Sequence, residues 1–489
     1  MLARKGAAMR NFSKTKRKVA TSGSKVPSKE SGAAHGVSRR GFLAAGLAMP
    51  FIVPRSVLGG TGHQAPSDTL RIAAVGVGGM GQSYLGGCRN ERIVALCDLD
   101  FNRSANVFRT YPKATRYHDF RKMFDKESKN FDALIIGTPD HTHAILLMAA
   151  VKLRKHIYCA KPITHSIAEA RKVRAALGKA KDLVTKSSVQ SSATDHARNT
   201  TELLKSGAIG GVRELHIWCD HPAYPCSMVR PTEKQTPPPG MDWDLWIVPA
   251  PYRPYHSAYH PANWRPWWDF GTGTVGDMAC HTLHVYFKEL QLGSPQMVYG
   301  YGSTRHKGFF QFVSTPECQS HANVVTWQFG ARGELPALTV HWYDGGMKPH
   351  RPVELDNSMR MPGSGLLFVG EKGKLMAGYG GGNPFGRSRR GLAGGLLLPE
   401  KKFRDFEQPA KTMRRCSDHY REWTQACKTG GRTVCPVEFG CEMTEMALLG
   451  ALALRTRRPL EWNEKEARVT NYEQANTLVD PPYRTGWSL

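Results

Sequence analysis

From residue 70 to about 190 the chain alternates short apolar runs with longer polar stretches of helical spacing. The runs are Leu70 to Val75 (LRIAAV), Ile93 to Cys97 (IVALC), Phe131 to Ile136 (FDALII) and Lys155 to Cys159 (KHIYC). Consecutive apolar positions, rather than every second one, mark strands covered on both faces, as in a parallel sheet flanked by helices. Leu183-Val184 and Ser187 to Gln190 predict the last strand of the series. Ala144 to Val151 predicts a crossover helix, and Ser166-Ile-Ala-Glu169 is a capping box opening an amphipathic helix that reaches about Gly178. The expected fold of residues 67–190 is an α/β Rossmann dinucleotide-binding domain.

Beyond Ser191 the pattern changes. Residues 218 to 268 hold six tryptophans, at 218, 243, 246, 264, 267 and 268, among many prolines and with Tyr224, Tyr252, Tyr255 and Tyr259. Proline removes amide donors, so neither a long helix nor a central strand is expected there. Two readings stand side by side: a surface on which sugar rings stack while Arg265 and Asp269 bond hydroxyls, or a buried filler of an irregular segment. On the first, Trp264, Arg265, Trp268 and His260 are the candidate substrate residues. Asn323 to Phe329 and Leu338 to Tyr343 suit strands, while His419 to Lys428 and Val437 to Thr456 suit closing helices. The Gly/Arg-rich region 377–395 reads as a mobile insertion.

The pattern G-x-G-x-x-G occurs twice, and context separates the copies. Gly271-Thr-Gly273-Thr-Val-Gly276 follows Trp267-Trp268-Asp269-Phe270, which is no buried strand. Gly76-Val77-Gly78-Gly79-Met80-Gly81 follows the first apolar run directly, and Asp98 ends the second run seventeen residues past Gly81. Gly76 permits the tight turn, Gly78 lets backbone approach a pyrophosphate, and Gly81 lets the helix pack on its strand with its N-terminus toward the phosphates. Asp98 is placed to meet adenosine ribose hydroxyls and would repel a 2'-phosphate, so NAD is favoured over NADP, with Arg103 softening the preference. Loops after the later strands meet the cofactor's reactive end in such sheets, which singles out Thr138, Pro139, His141, Lys161 and Gln190.

Charge changes the picture only at the N-terminus. Residues 1 to 40 carry eleven Lys and Arg against one acid, Glu30, so +10 of the formal +26 lies there and the rest is scattered. No basic cluster recurs after position 40, and a nucleic-acid partner is not expected. Gly41 to Val53 is an apolar segment too short to span a bilayer. Ser38-Arg39-Arg40-Gly41-Phe42-Leu43 resembles the twin-arginine signal of bacteria, S/T-R-R-x-F-L. That resemblance implies the twin-arginine export machinery as a partner and a periplasmic or otherwise exported protein, with residues 1–66 as leader, cleaved or retained as a membrane anchor. Eleven cysteines at irregular spacing without C-x-x-C indicate neither a disulfide framework nor a zinc ribbon. His141-x-His143, His256-x-x-x-His260 and His281-x-x-His284 have ligand-like spacing, but no carboxylate or thiolate completes them, and no metal is expected.

The glycine loop, Thr138-Pro139-Asp140-His141-Thr142-His143, Lys161-Pro162 and Asp277-Met-Ala-Cys-His281 come in an order that resembles the glucose-fructose oxidoreductase and inositol dehydrogenase family, over about residues 68–455. The resemblance implies that residues 191–489 form an α+β domain with a large, mostly antiparallel sheet, used for substrate and for dimer or tetramer contacts. It also implies that Lys161 bonds the hydroxyl being oxidised, that His281 takes its proton, and that Asp277 orients His281 or binds a neighbouring hydroxyl. Two positions depart from the family's pattern: Ala160 stands where Glu is usual before the lysine, and His284 where Asp often follows the histidine.

A sugar, sugar derivative or cyclitol is the implied substrate. An exported dehydrogenase meets no replenished NAD pool, so the expectation is a tightly bound cofactor carried out with the folded chain. The hydride must then be returned at each turnover, either to a second substrate or within one sugar. The latter describes a redox-neutral NAD-dependent glycosidase working through a transient keto-sugar. A carbohydrate-binding relic without turnover is the third reading.

Overall fold

The computed structural model describes residues 68–386, 391–416 and 418–489, within one compact unit, Gln64–Leu489. The twin-arginine motif at Ser38–Leu43 lies outside the described residues. Six strands form the first sheet: β1 (Arg71–Val75), β2 (Arg92–Cys97), β3 (Thr115–Tyr117), β4 (Ala133–Ile136), β5 (His156–Cys159) and β6 (Thr185–Ser187). They are all parallel in the order β3-β2-β1-β4-β5-β6, the order of a Rossmann sheet. The helices α1 (Met80–Gly87), α2 (Ala105–Thr110), α3 (Phe120–Glu127), α4 (His143–Lys152) and α5 (Ile167–Gly178) connect them. Residues of β1 and β4 are almost wholly buried, which is why their sequences carry no polar alternation. The capping box that opens α5 is complete: Ser166 Oγ accepts from Glu169 N, and Glu169 Oε2 accepts from Ser166 N at 2.9 Å.

The last strand is shorter than its sequence suggested. β6 covers Thr185–Ser187, and Gln190 instead opens a 3-10 turn leading to α6 (Asp195–Lys205). The strand β3, Thr-Arg-Tyr with two exposed positions, gives no apolar signal and is found only by its pairing with β2.

The second sheet has nine strands, of which β7 (Val212–Trp218), β8 (Met297–Gly302), β11 (Asn323–Phe329), β12 (Leu338–Tyr343), β13 (Gly365–Gly370) and β14 (Lys374–Gly378) form the body. All pairs are antiparallel except β7 with β12. Its inner face packs on α8 (Gly273–Tyr286) and on α10 (Val437–Thr456), whose side chains are buried nearly all round. The hydrogen bond from Trp327 Nε1 in β11 to Met446 O in α10, at 2.9 Å, fixes helix on sheet. The helix α10 also meets the first domain, because Gly440 sits where a Cβ would lie 2.7 Å from Ile163 Cγ1.

Two expectations are corrected here. The region 377–395 is no mobile insertion where it is described. Gly381 lies so close to α6 that a Cβ would meet Ala197 Cα at 2.7 Å, and Tyr379 OH donates to Met278 O at 2.5 Å; residues 387–390 lie outside the described set. Most tryptophans of the 218–268 segment are packed away rather than open for stacking, though Trp246 and Trp264 also line the cavity described below. Trp243, Trp246, Tyr255, Tyr259, Trp267 and Phe270 pack into their own core, with Trp243 and Trp246 stacked at 4.6 Å. Only one short helix, α7 (Trp243–Ile247), forms there, so apolar burial rather than a backbone ladder holds the segment.

Candidate active site

One cavity of about 760 Å³ runs along the C-terminal ends of the parallel strands, between the two domains. Such a volume suits a cofactor with part of a substrate. At one end stands the glycine loop. Gly76 has φ +78°, which a side chain would strain. A Cβ on Gly81 would lie 2.0 Å from Gly76 O, so α1 starts pressed against the end of β1. A Cβ on Gly78 would lie 2.9 Å from Arg103 Cγ and from Ser104 Oγ. Asp98, at the end of β2, accepts from Val77 N at 2.7 Å and Gly78 N at 2.8 Å through one oxygen. Its carboxylate braces the loop while lining the cavity, in addition to the ribose position expected from sequence. A closely packed backbone turn, a helix N-terminus and one carboxylate beside them fit a dinucleotide.

At the other end Lys161, Asp277 and His281 converge. Lys161 follows β5, and α8 carries Asp277 and His281 one turn apart on one face. Lys161 Nζ donates to Asp277 O at 2.6 Å and pairs with Asp277 Oδ1, both side chains being only 15% exposed. Arg265 Nε stands 3.6 Å from the other carboxylate oxygen, its guanidinium 4.5 Å above the ring of Trp264. Burial alone would raise the pKa of Asp277, but the charges of Lys161 and Arg265 outweigh it and hold it at about 2. Asp277 therefore holds the lysine, and its charge also acts on His281. Burial and then the charge of Lys161 push His281 down to about 3, so its imidazole is neutral at neutral pH.

The other sequence candidates divide. Gly79, Met80, Thr138, Pro139 and Gln190 line the cavity, as do Trp264, Arg265 and His260. Val77 turns its side chain into the core and gives its amide to Asp98; Gly81 serves packing. His141 is corrected: it is 1% exposed, and its ring bonds Phe270 O at 3.2 Å and Trp246 O at 2.9 Å, clasping the loop after β4 to the aromatic segment. Trp268 is corrected as well, being buried in the sheet domain's core with Arg455 over its ring. Asp269 is spent on Arg253. His260 bonds Asp100 Oδ2 at 3.1 Å, near β2 rather than near Lys161.

Sequence reasoning missed Asp100 and Asp140. Asp140 accepts from Thr272 Oγ1 at 2.9 Å, and burial with the charge of Asp277 pushes it up to about 7. Its place inside the quoted loop was the available signal. The second glycine motif, set aside for lack of a strand, opens α8: Gly273 has φ +67° and a Cβ on it would strike Gln319 Oε1. The ring nitrogens of His143 face Pro162 O and Thr138 O, both at 2.8 Å, so they hold loops. Among the described residues, Cys219, Asp220 and His221 bring three ligand-type atoms within 4.8 Å of one another, and His221 also lines the cavity.

The buried histidines give the fold a pH signature. His141, His143, His165, His281, His284 and His419 are all held below the ordinary value, burial being the first cause in each. In the unfolded chain they take up protons below about 6.5. Their contribution to stability is thus full above that pH and falls as the solution is acidified. Asp140 and Asp344, pushed up to about 7 by burial, act oppositely and reduce stability as pH rises from about 4 to 7. With His156, His216, His260 and His341 also held low, and Glu169 and Glu442 also held high, ten histidines against four carboxyls predict a thermal midpoint that falls from about pH 7 to about pH 5. A midpoint flat or rising over that interval in a thermal scan would contradict the neutral assignment.

Comparison with known proteins agrees with this fold. Residues 70–188 match the family model described as oxidoreductase family, NAD-binding Rossmann fold, and residues 227–299 that of the C-terminal alpha/beta domain. The inositol 2-dehydrogenase of Rubrobacter xylanophilus is 33% identical over 112 residues, 22% of this chain and 31% of that protein. The corresponding enzyme of Acidothermus cellulolyticus is 28% identical over 173 residues, 34% of this chain and 49% of that protein. The chain thus spans about a third to a half of the length of these curated relatives. Among solved structures, the WlbA dehydrogenase of Bordetella pertussis, in complex with NADH and UDP-GlcNAcA, is similar with TM-score 0.52 and 14% identity, covering 81% of this chain and 98% of that one. The aldose-aldose oxidoreductase of Caulobacter crescentus is similar with TM-score 0.51 and 16% identity, covering 80% and 99%. Residues 70–188 and 227–299 are thus similar to the NAD-binding and C-terminal domains of the Gfo/Idh/MocA oxidoreductase family.

Proposed function

We propose that this protein is an NAD-dependent oxidoreductase acting on a hydroxyl of a sugar, sugar derivative or cyclitol, exported through the twin-arginine route with its cofactor held tightly. The observation that carries the reading is the convergence of Lys161, Asp277 and His281 at the far end of the cavity that begins at the glycine loop. NAD bound there would supply the hydride acceptor.

The chain's own residues then have separable parts. Lys161, fixed by Asp277, donates to the substrate oxygen and stabilises the negative charge growing on it. His281, neutral, takes the hydroxyl proton. Arg265 and Trp264 supply a cation and an apolar face for the rest of the ring. The inositol 2-dehydrogenase matches support the cofactor most directly, since the Rossmann domain is what such short stretches can share. The Ser38–Leu43 motif supports export. Supporting a homodimer or tetramer are Tyr299, His341 and Tyr343 on the outer sheet face, together with the exposed Phe309, Phe310 and Phe312 on the hairpin of β9 (Arg305–Gly308) and β10 (Gln311–Val313).

The test is to purify the chain, denature it, measure released NAD(H), and assay a panel of cyclitols and sugars for NADH formation. Stoichiometric NAD with oxidation of a polyol or sugar is the expected result. A chain that carries no dinucleotide and oxidises none of them would overturn the proposal.

A further inference from the structure

Residues 239–264 line part of the cavity, and most of their polar ties to the first domain gather at the end of β2. Asn102 Nδ2 donates to Pro239 O at 2.8 Å, Asp242 N to Leu99 O at 3.3 Å, and Met241 pairs with Asp100 in an isolated bridge. His260 Nε2 then reaches Asp100 Oδ2 at 3.1 Å, with both residues under 9% exposed. Asp100 is itself fixed, since its other oxygen accepts from Arg103 N at 3.0 Å. Leu245, Trp246, Val248 and the turn from Pro261 to Trp264 present the inner surface of the same segment to the cavity.

Behind that surface the segment is stiff. Trp243 Nε1 donates to Arg253 O at 2.7 Å, Trp267 Nε1 to Ala258 O at 3.0 Å, and Arg253 pairs with Asp269. A piece packed around its own aromatic core opens as a unit, not residue by residue. Its polar hold on the first domain then consists of the contacts at Leu99, Asp100 and Asn102 and one bond further off, between His141 Nε2 and Trp246 O. The contacts at Leu99, Asp100 and Asn102 lie beside Asp98 and the glycine loop, the end where the adenosine half of a dinucleotide binds in this fold.

We propose that residues 239–264 are a strap that retains the dinucleotide, and that the contact between His260 and Asp100 is its latch. The inference rests on the dinucleotide reading above and adds the reason that the cofactor does not exchange. Both residues act on the strap, so they are positioning residues and take no part in the chemistry.

The experiment loads the full chain with NADH and follows its release by fluorescence after dilution into excess NAD. His260→Ala should speed release about tenfold to a hundredfold, the worth of a buried hydrogen bond to a charged group. His260→Gln, which keeps an N–H donor at similar reach, should restore most of the native rate. Asn102→Ala, at an exposed tie on the same strap, should speed release a few-fold and gives the answer even where His260→Ala fails to fold. Release at the native rate from the folded alanine variants would overturn the strap. A chain that turns over but releases NADH within milliseconds would remove the strap and the tight hold on the cofactor, and leave the oxidoreductase reading. Retained NADH without oxidation of any sugar would do the reverse.

Discussion

Lys161→Ala is expected to lower kcat by about 10²–10⁴-fold, the range for losing a charge-stabilising or proton-transferring group, while the purified protein keeps its dinucleotide. The two halves of that result follow from the length of the cavity. Lys161 stands at the α8 end, whereas the loop, Asp98 and the strap that would grip a cofactor stand at the β1–β2 end. The loss has two causes. No ammonium remains to meet the developing oxyanion, and Asp277 loses its nearest cation, leaving Arg265 at 3.6 Å. Burial then raises the Asp277 carboxyl from its value of about 2 and weakens it as an acceptor for any neighbouring hydroxyl. Lys161→Arg keeps the charge but replaces a compact ammonium with a planar fork, so it should recover only part of kcat. Steady-state kinetics with dinucleotide content measured on the same samples checks both halves. Native kcat in the alanine variant would place the chemistry elsewhere, and loss of the cofactor would show that Lys161 grips it.

How much of this was legible in the sequence depends on the range over which each signal acts. The strands β1, β2, β4 and β5 are buried on both faces, so their apolar runs are unbroken and their order is fixed by local chemistry. The glycine loop is equally local, because sterics at Gly76 and Gly81 admit no side chain. Lys161, Asp277 and His281 were named through a resemblance, and the fold brings the first two into contact across 116 residues. Asp100 and His260 lie 160 residues apart, and nothing near either announces the other. The aromatic segment misled in a specific way. Trp268 and Trp264 look alike in sequence, yet one packs under Arg455 in the sheet domain and the other under Arg265 in the cavity. Composition reports that indoles will be buried or stacked; only the route of the chain decides against what.

Glu422→Ala is expected to destabilise the fold by about 3–5 kcal/mol, the usual consequence of leaving a buried charge without its partner. Lys186, in β6, and Glu422, in α9 (His419–Thr429), are paired with side chains 0% and 2% exposed. After the substitution the ammonium keeps only Ser192 Oγ, at 3.4 Å, and the amide of Val434 loses the acceptor it reaches at 2.8 Å. Thermal unfolding should register a fall of roughly 5–10 °C. The double variant Lys186→Met with Glu422→Leu separates charge from packing, since replacing both partners by apolar groups of similar volume is close to neutral. It should regain most of the lost midpoint, whereas a cavity effect would leave it as low as the single variant. The pair also bears on catalysis. Two residues beyond Lys186, Ser188 Oγ accepts from Lys161 N at 3.1 Å, and two further on Gln190 lines the cavity. Loosening the end of β6 therefore displaces the backbone that aims Lys161. The single variant should lose kcat well below its melting range, and the double variant should recover stability and kcat together. Recovery of the midpoint without recovery of kcat would mean that the charges themselves, buried behind His284 and His419, take part in moving the proton.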